Sequence, residues 1–292
     1  MLVEKSSHNI PSDLFGRDFF MFMVAERSRG VIFNLKLLTQ NTLHRFSNRV
    51  GNYVKSRPSY PEELISFLKQ QEVLKDNSVI ADIGSGTGIS CDLFLQEGLE
   101  VYGIEPNQEM REAAKRSLCK YEKFHSINAT AENTSLSDKS IDVIVAAQAF
   151  HWFDQQKCKT EFKRVLKNEG KVVLMWNDRR TDTTDFLKVY EDFLQMFGTD
   201  YAAINHKNVQ NEGVFNNFFG KGNYESKSFY NFQDLDFEGL KGRVLSSSYM
   251  PNEGHTDYEF MMYCLKKIFL RYQEKGTVRL DYDTKIYYGT IK

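Results

Sequence analysis

The residues best suited to do chemistry in this chain surround a glycine-rich turn at residues 84–88, which reads Gly-Ser-Gly-Thr-Gly. An apolar run at residues 79–83 precedes the turn and a helical pattern follows it, so the backbone must turn sharply between a strand and a helix. Glycine admits backbone conformations and close approaches that a Cβ would block. The helix behind the turn aims N–H groups and the positive end of its dipole at the turn. The pattern therefore predicts a loop that cradles a nucleotide-type ligand.

The spacing of the glycines argues against a dinucleotide. The dinucleotide fingerprint requires Gly-x-Gly-x-x-Gly or Ala; Gly84 and Gly86 fit it, but Ile89 occupies the third position. Asp82 ends the strand two residues before the first glycine, where its carboxylate would repel a pyrophosphate. The same carboxylate can accept hydrogen bonds from the loop or from an ammonium group. The loop thus suits a zwitterionic ligand such as the methionine part of S-adenosylmethionine.

At this point the sequence resembles the class I S-adenosylmethionine-dependent methyltransferases, of the type 11 and trans-aconitate methyltransferase-like kind. The resemblance rests on the glycine loop, on Arg-Pro-x-Tyr-Pro at residues 57–61 and on His-Trp-Phe at residues 151–153. It implies an α/β fold with a Rossmann-like seven-stranded sheet of order 3-2-1-4-5-7-6, whose last strand is antiparallel. Helices would cover both faces, and a helical substrate cover would be inserted. It also implies S-adenosyl-L-methionine as cofactor and a small-molecule methyl acceptor, for which the trans-aconitate likeness suggests a carboxylate.

Glu105 is the second acid that the pattern singles out. It lies 21 positions after Gly84, at the end of the second predicted strand, residues 100–105. A Rossmann-like fold places a carboxylate about 20 residues after its glycine turn, against the ribose hydroxyls. A carboxylate can accept from both hydroxyls of the diol, so we expect Glu105 to bind the ribose.

The resemblance implies further cofactor contacts. The segment after the third predicted strand holds the adenine in this family, with the backbone N–H of Ala131 for a ring nitrogen. This chain carries Thr130 where most members carry Asp, a departure that affects the contact to the exocyclic amine. Tyr53 and Arg57 would face the cofactor's carboxylate or the substrate, and a surface ion pair is the alternative for Arg57. The implied cofactor residues are Tyr53, Arg57, Asp82, Gly84, Ser85, Gly86, Gly88, Glu105, Pro106, Thr130, Ala131, Glu132, Ala147 and Gln148.

The residues that face the methyl acceptor are predicted to follow the fourth strand, residues 141–147. Ligands of open α/β sheets bind beyond the carboxyl ends of the strands, where the strand order reverses. His151 lies there and is the candidate general base, because an imidazole titrates near neutral pH. The alternative is that His151, Trp152 and Phe153 simply wall the pocket. Substrate contacts are also predicted for Trp152, Arg179 and Tyr249, with the capping of surface acids as the alternative for Arg179.

Composition and charge narrow the class of protein. The chain has 38 basic and 39 acidic residues, a net charge of −1, which argues against nucleic acid or an anionic membrane as partner. Its four cysteines are widely spaced and form no C-x-x-C, which predicts a reducing compartment and no metal site. The longest apolar run near the start, residues 19–25, is far shorter than the ~20 residues that span a bilayer. A cytoplasmic protein is predicted, and its oligomeric state is left open.

The chain is predicted to divide into an N-terminal extension, residues 1–41, and a methyltransferase domain, residues 42–292. The extension is interpreted as a lid or dimer arm, and the alternatives are a peripheral extension or an over-long gene start. The substrate cover is placed at about residues 179–276. Within the domain we predict a helix over residues 155–168, a strand over residues 171–176 and a second helix over residues 184–198. An irregular stretch is predicted from there to residue 227.

Three other functions are weighed against methyl transfer. An NAD-dependent oxidoreductase shares the fold family, but the glycine spacing disfavours it. A cofactor-binding protein without turnover would keep the same motifs. A nucleic-acid methyltransferase is disfavoured by the neutral charge and by the lack of an Asn-Pro-Pro-Tyr-like or Pro-Cys segment at the fourth strand.

Overall fold

The computed structural model describes residues 50–199, 201 and 210–292. The predicted extension, residues 1–41, and its boundary lie outside the described residues. The described part opens with two helices, α1 (Val50–Ser56) and α2 (Glu63–Gln70). Pro58 and Pro61 lie between them, where their missing N–H groups interrupt no helical hydrogen bond.

Within the described residues the strands form one seven-stranded sheet of order β3-β2-β1-β4-β5-β7-β6. The strands are β1 (Val79–Ile83), β2 (Glu100–Ile104), β3 (Phe124–Ile127), β4 (Ile141–Ala147), β5 (Leu166–Arg179), β6 (Tyr224–Leu235) and β7 (Val278–Gly289). The first five pair in parallel, whereas β7 runs antiparallel to both β5 and β6. The predicted order and the antiparallel last strand are confirmed.

Helices follow most of the strands. They are α3 (Ile89–Leu95), α4 (Gln108–Ser117), α5 (Gln155–Val165), α6 (Asp185–Phe197), α7 (Glu212–Phe219), α8 (Phe237–Leu245) and α9 (Tyr258–Tyr272), with a short 3₁₀ helix at Phe150–Trp152. Several begin at a side-chain cap: Asn107 accepts from the N–H of Met110 and Asp154 from that of Lys157. Such caps satisfy N–H groups that have no partner inside the helix.

Both faces of the sheet are buried, because alternate residues of each strand point to opposite sides. On β4, Val143 and Val145 join the cluster that packs against α2 and α3, while Ile144 joins the cluster that includes residues of α5 and α7. All three are essentially inaccessible to solvent. A strand covered on both faces explains the nearly continuous apolar run of β4. The predicted layers of helices on both faces are confirmed.

Two local predictions are wrong. The helix predicted to reach residue 168 ends at Val165, and β5 begins at Leu166 rather than at residue 171, because Leu166 pairs with Ile141 of β4. The stretch predicted to be irregular contains α7, whose Phe215, Phe218 and Phe219 are buried against the sheet. Its Asn-rich and Gly-rich surroundings concealed that apolar face. Of the helices in the described residues, none combines the length and apolar character that crossing a bilayer requires.

Candidate active site

Two adjoining cavities, each of about 280 Å³, open at the carboxyl ends of the parallel strands. They share the walls formed by Gly84, Gly86, Ala147, Gln148 and Trp152. We call the cavity beside the end of β2 the β2 lobe, and the cavity beside α8 the α8 lobe. Of the predicted residues, Glu105, Pro106, Thr130, Ala131 and Glu132 line the β2 lobe, and Arg57, Ser85, His151, Arg179 and Tyr249 line the α8 lobe.

The glycine loop forms the wall between the lobes. Gly84 and Gly86 have φ values of 70° and 55°, a left-handed conformation that a side chain disfavours. A Cβ on Gly84 would lie 2.6 Å from the Cβ of Ala149, so protein packing excludes it. A Cβ on Gly86 would meet no atom of the described residues within 4 Å, although Gly86 lines both lobes. The loop at Gly86 is therefore open toward the cavities, as a cradle for a ligand must be.

Gly88 has a different local reason to be glycine. Its φ is 85°, and an added Cβ would lie 2.6 Å from Cδ1 of Leu118. It does not line either lobe, and it forms the start of α3 where that helix approaches α4. The cofactor contact implied for Gly88 stays a prediction, and the structure gives this residue a packing role.

Asp82 lies buried beneath the loop. Its Oδ2 accepts from Ser90 Oγ at 2.5 Å and from Cys91 Sγ at 3.1 Å, so its described partners belong to α3 and not to the loop. Its Oδ1 has no hydrogen-bond partner among the described residues. Burial raises the pKa of Asp82 to about 6, against the opposing effect of the two hydrogen bonds. Asp82 does not line either lobe, and its contact with a cofactor stays a prediction.

Glu105 presents an oriented carboxylate to the β2 lobe. Its Oε2 accepts from the backbone N–H of Gly86 at 3.0 Å, and its Oε1 accepts from that of Asn107 at 2.8 Å. Burial raises the pKa of this carboxyl group, while the two backbone hydrogen bonds oppose the rise. Each oxygen keeps a further lone pair that can accept a hydrogen bond from a ligand.

The rest of the β2 lobe combines one polar segment with apolar walls. Glu132 Oε1 accepts from the backbone N–H of Asp154 at 3.1 Å, so this carboxylate also ties the end of β3 to the start of α5. Sequence reasoning missed the lining residues Asn107, Met110 and Ala149, whereas Phe153 lines the lobe as the wall alternative predicted. The helix cap at Asn107 was an available signal for the first of these.

Gln148 stands between the lobes in an unusual backbone conformation. Its φ is 58°, which is uncommon for a residue with a side chain, and its N–H donates to the carbonyl of Met175 at 2.8 Å. Strained backbone of this kind concentrates at functional sites. Gln148 directly follows the last residue of β4, and its amide side chain lies at the boundary between the two cavities.

Arg179 is the predicted substrate arginine of the α8 lobe, but its charge is already matched. It forms an ion pair with Glu191 of α6, and Tyr201 OH donates to the same carboxylate at 2.9 Å. Burial would raise the pKa of Glu191, but a hydrogen bond from Gln195 and the charge of Arg179 outweigh it and lower that pKa. Arg179 thus belongs to a neutralised cluster in the wall of the lobe.

Arg243 of α8 is a lining residue that sequence reasoning missed. Its Nη1 donates to Ser247 Oγ at 3.1 Å, and its Nε donates to Tyr282 OH at 3.4 Å. Arg57 approaches the same turn, where its Nη2 donates to the carbonyl of Ser246 at 3.0 Å. Arg243 lies within the predicted substrate cover, about residues 179–276, but no spacing rule distinguished it.

Aromatic side chains complete the α8 lobe. The rings of His151 and Trp152 are tilted and 4.7 Å apart, and those of Tyr201 and Tyr249 meet edge to face at 4.9 Å. Tyr53 belongs to α1, but its side chain lies outside the described part of the chain. The described residues hold no group of three or more His, Cys, Asp or Glu side chains placed to bind a metal ion.

Comparison with known proteins shows which family this site resembles. Residues 81–174 match the model of a methyltransferase domain. That segment runs from β1 into β5 and supplies most walls of the β2 lobe. By this match, residues 81–174 are similar to methyltransferase domains. The resemblance that the motifs predicted is thereby confirmed at the level of the family, and the trans-aconitate-like subtype is not.

Several relatives share this methyltransferase domain. An uncharacterised methyltransferase of Mycobacterium tuberculosis is 34% identical over 134 residues, which are 46% of this chain and 52% of that protein. A probable S-adenosylmethionine-dependent methyltransferase of Saccharomyces cerevisiae is 30% identical over 149 residues, which are 48% of this chain and 50% of that protein. The chain thus spans about half the length of the curated relatives it matches.

Solved structures show the same fold. An Anaeromyxobacter dehalogenans protein assigned as a type II methyltransferase aligns with a TM-score of 0.60 at 20% identity, over 80% of this chain and 97% of that one. Haemonchus contortus phosphoethanolamine N-methyltransferase 2, crystallised with phosphomonomethylethanolamine and S-adenosylhomocysteine, aligns with a TM-score of 0.51 at 15% identity, over 89% and 61% of the two chains. At such identities the likeness concerns the fold alone.

The cofactor of a class I methyltransferase domain is S-adenosylmethionine, and the residues present here fit it. The open side of Gly86 leaves room for a ligand against the loop. Glu105 keeps lone pairs for a diol, and the described part of the α8 lobe carries guanidinium groups that suit a carboxylate. The predicted cofactor is confirmed, while the roles of individual residues remain proposals.

Proposed function

We propose that this protein transfers the methyl group of S-adenosylmethionine to a small-molecule acceptor. The observation that carries the proposal is the carboxylate of Glu105, which backbone N–H groups of Gly86 and Asn107 hold at the rim of an open glycine loop. A carboxylate fixed in this way matches a ribose diol better than a pyrophosphate, which it would repel. The NAD-dependent alternative is disfavoured by the spacing of the glycines, because Ile89 takes the third position of the dinucleotide fingerprint.

We assign the cofactor contacts as follows. Glu105 would bind the ribose hydroxyls, and the backbone N–H of Ala131 would bind an adenine ring nitrogen in the β2 lobe. Arg57 would bind the carboxylate of the methionine part in the α8 lobe. Gln148 lines both lobes and would stand beside the reacting methyl group.

The bound cofactor supplies a methyl group that is already an activated electrophile. The residues of this chain therefore have to orient the acceptor and exclude water, and orientation alone can supply ~7–11 kcal/mol of such a barrier. Trp152 and Tyr249 wall the α8 lobe with aromatic surface suited to both tasks. A base is required only where the acceptor must lose a proton.

We further propose a carboxylate oxygen as the acceptor atom. Among the described residues that line the α8 lobe, Arg57, Arg179 and Arg243 are cationic and Glu191 is the carboxylate. This excess of positive charge favours an acidic acceptor. A carboxylate needs no deprotonation at neutral pH, so His151 would wall the lobe during that reaction. With a phenol or amine acceptor, His151 would take the proton.

The experiment that tests the proposal is methyl transfer from radiolabelled S-adenosylmethionine to a panel of small acids, phenols and amines. Transfer to at least one member is expected, with label recovered in an extractable ester if the acceptor is a carboxylate. Tight binding of S-adenosylhomocysteine without transfer to any member would favour the cofactor-binding alternative. A cytoplasmic location and independence of nucleic acid remain predictions from composition.

A further inference from the structure

The α8 lobe contains a guanidinium group whose charge is balanced by no carboxylate of the described residues. Arg243 lines this lobe, and its hydrogen-bond partners in the described part of the chain are two hydroxyl groups, Ser247 Oγ and Tyr282 OH. Burial lowers the pKa of Arg243, but interactions with the phenols of Tyr282, Tyr190 and Tyr249 raise it by more, so the group is cationic. A partly buried cation of this kind is costly unless something pairs with it.

The fold offsets only part of that cost. Arg243 lies in the last turn of α8, where the negative end of the helix dipole favours a cation. Tyr282 OH donates its own proton to Gln233 Oε1 at 2.9 Å, which leaves an oxygen lone pair for Arg243 Nε. These contacts fix one edge of the guanidinium. Its other N–H groups have no partner among the described residues, and a planar fork of such donors matches a carboxylate.

Arg179 lines the same lobe, but its charge is already paired with a carboxylate. Its ion pair with Glu191 and the hydroxyl of Tyr201 account for its charge, and an incoming anion would have to compete with Glu191. Arg57 is assigned to the methionine carboxylate by the proposed function. Arg243 is therefore the lining cation best placed to recognise an anionic group of the acceptor.

We propose that Arg243 anchors a carboxylate of the methyl acceptor and that the anchored carboxylate is not the group that becomes methylated. The inference rests on the proposed function and names its substrate class: a small organic acid that carries a second nucleophilic group. A guanidinium that donates two hydrogen bonds to a carboxylate occupies its lone pairs and withdraws electron density from it. The anchored carboxylate is thus a poor nucleophile, but it binds and positions the acceptor.

The contact with Arg243 would also orient the acceptor within the α8 lobe. One charged contact on α8 and the wall formed by Gln148 and Trp152 would fix two ends of a small molecule within a cavity of about 280 Å³. Truncating one partner of a buried charged pair weakens binding by about 100-fold or more. Acceptors that lack the carboxylate bound by Arg243 should therefore react far more slowly than those that carry it.

The test compares matched acceptors and matched variants. The acceptors are short dicarboxylic, hydroxycarboxylic and aminocarboxylic acids, each paired with the primary amide that replaces one carboxylate. The variants are Arg243→Gln, Arg243→Lys and the control Arg180→Gln, which removes a half-exposed ion pair with Asp283 and does not touch either lobe. Binding of S-adenosylhomocysteine is measured first by calorimetry on every variant, and failure there in the wild type would refute the proposed function itself.

Given cofactor binding, the wild type should methylate acids and leave their amides nearly unreacted. Arg243→Gln should raise the acceptor KM by about 100-fold with little change in the KM for S-adenosylmethionine, and Arg243→Lys should retain part of the affinity. Arg180→Gln should match the wild type. Equal rates with acids and amides, or an unchanged acceptor KM in Arg243→Gln, would overturn the inference and leave the proposed function standing.

A stability measurement covers the case in which no panel member reacts. Replacing a partly buried cation that no carboxylate of the described residues balances by a neutral side chain should leave Tm unchanged or raise it, so the Gln variant should fold. Panel acids at millimolar concentration should raise the Tm of the wild-type complex with S-adenosylhomocysteine and not that of Arg243→Gln. If no acid raises the wild-type Tm, or if both proteins respond alike, the inference is wrong.

Discussion

Glu105 Oε2 accepts a hydrogen bond of 3.0 Å from the backbone N–H of Gly86, which joins the end of β2 to the glycine loop after β1. This contact couples the two motifs that the sequence placed 19 residues apart. It fixes the loop in its open form and fixes the carboxylate at the wall of the β2 lobe. One residue therefore serves both the fold of the loop and the proposed binding of ribose.

Substitution of Glu105 should weaken cofactor binding more than it weakens the fold. Glu105→Gln keeps the shape but replaces one acceptor oxygen by a donor, so we expect the Kd for S-adenosylhomocysteine to rise about 10- to 100-fold. Calorimetry measures it directly. The control is Glu100→Gln at the opposite end of β2, whose carboxylate accepts from Tyr102 OH outside both lobes. An equal loss of affinity in both variants would contradict the role of Glu105.

The methyl side chain of a Gly86→Ala variant should block ligand binding without contacting other atoms of the described residues. Gly86 and Gly98 both have positive φ, and an added Cβ meets no atom of the described residues within 4 Å at either position. Each change to Ala should cost about 1–2 kcal/mol of unfolding free energy, measured by urea titration, because the left-handed conformation strains any side chain. Only Gly86→Ala should also weaken binding of S-adenosylhomocysteine, since Gly98 does not line either lobe. Matching affinities for the two variants would argue against a ligand at the loop.

The buried carboxyl group of Asp82 should leave a signature in the pH dependence of stability. Its pKa rises from 3.8 to about 6 on folding, because burial disfavours the charged form. The folded state therefore holds its proton while the unfolded state releases it, and stability falls as pH rises from about 4 to about 6. The free energy of unfolding should drop by about 2–3 kcal/mol over this window relative to Asp82→Asn. A difference between the two proteins that does not vary with pH would show that Asp82 titrates normally.

The ion pair between Arg179 and Glu191 should be structural. Their side chains are 9% and 16% exposed, so Glu191→Gln would leave a buried cation without its partner. The expected loss is about 3 kcal/mol of unfolding free energy, measured by chemical denaturation. Asp185→Asn on the same helix removes an exposed pair with Lys188 and should cost less than about 1 kcal/mol. Similar losses for the two variants would mean that burial of the pair has little weight.

His151 offers a direct test of whether a base is used. If the acceptor atom is a carboxylate oxygen, His151→Gln should lower kcat by about tenfold or less and leave the shape of the pH–rate profile unchanged. If the acceptor must lose a proton, loss of the base should cost about 10²- to 10⁴-fold. Single-turnover rates from pH 5.5 to 9 separate these cases. A large loss with a carboxylic acid acceptor would contradict the passive role proposed here.

The glycine loop and Glu105 could be predicted because their roles are encoded locally, in a strand, a turn and a fixed interval along the chain. The cationic wall of the α8 lobe could not be predicted in the same way. Arg243 and Tyr282 come from α8 and β7, and only the folded cover and sheet bring them together. Glu191 lies on α6 as an ordinary amphipathic-helix acid until Arg179 of β5 is placed beside it. The start of β5 at Leu166 likewise depends on pairing with β4, which no local pattern records.

The most direct test of the central claim is calorimetric titration of the purified, folded protein with S-adenosylmethionine, S-adenosylhomocysteine and NAD. The geometry of Gly86 and Glu105 predicts saturable binding at one site for the two adenosyl-sulfur compounds. The spacing of the glycines predicts no detectable heat with NAD. Binding of NAD alone, or no heat with any of the three, would contradict the proposed function.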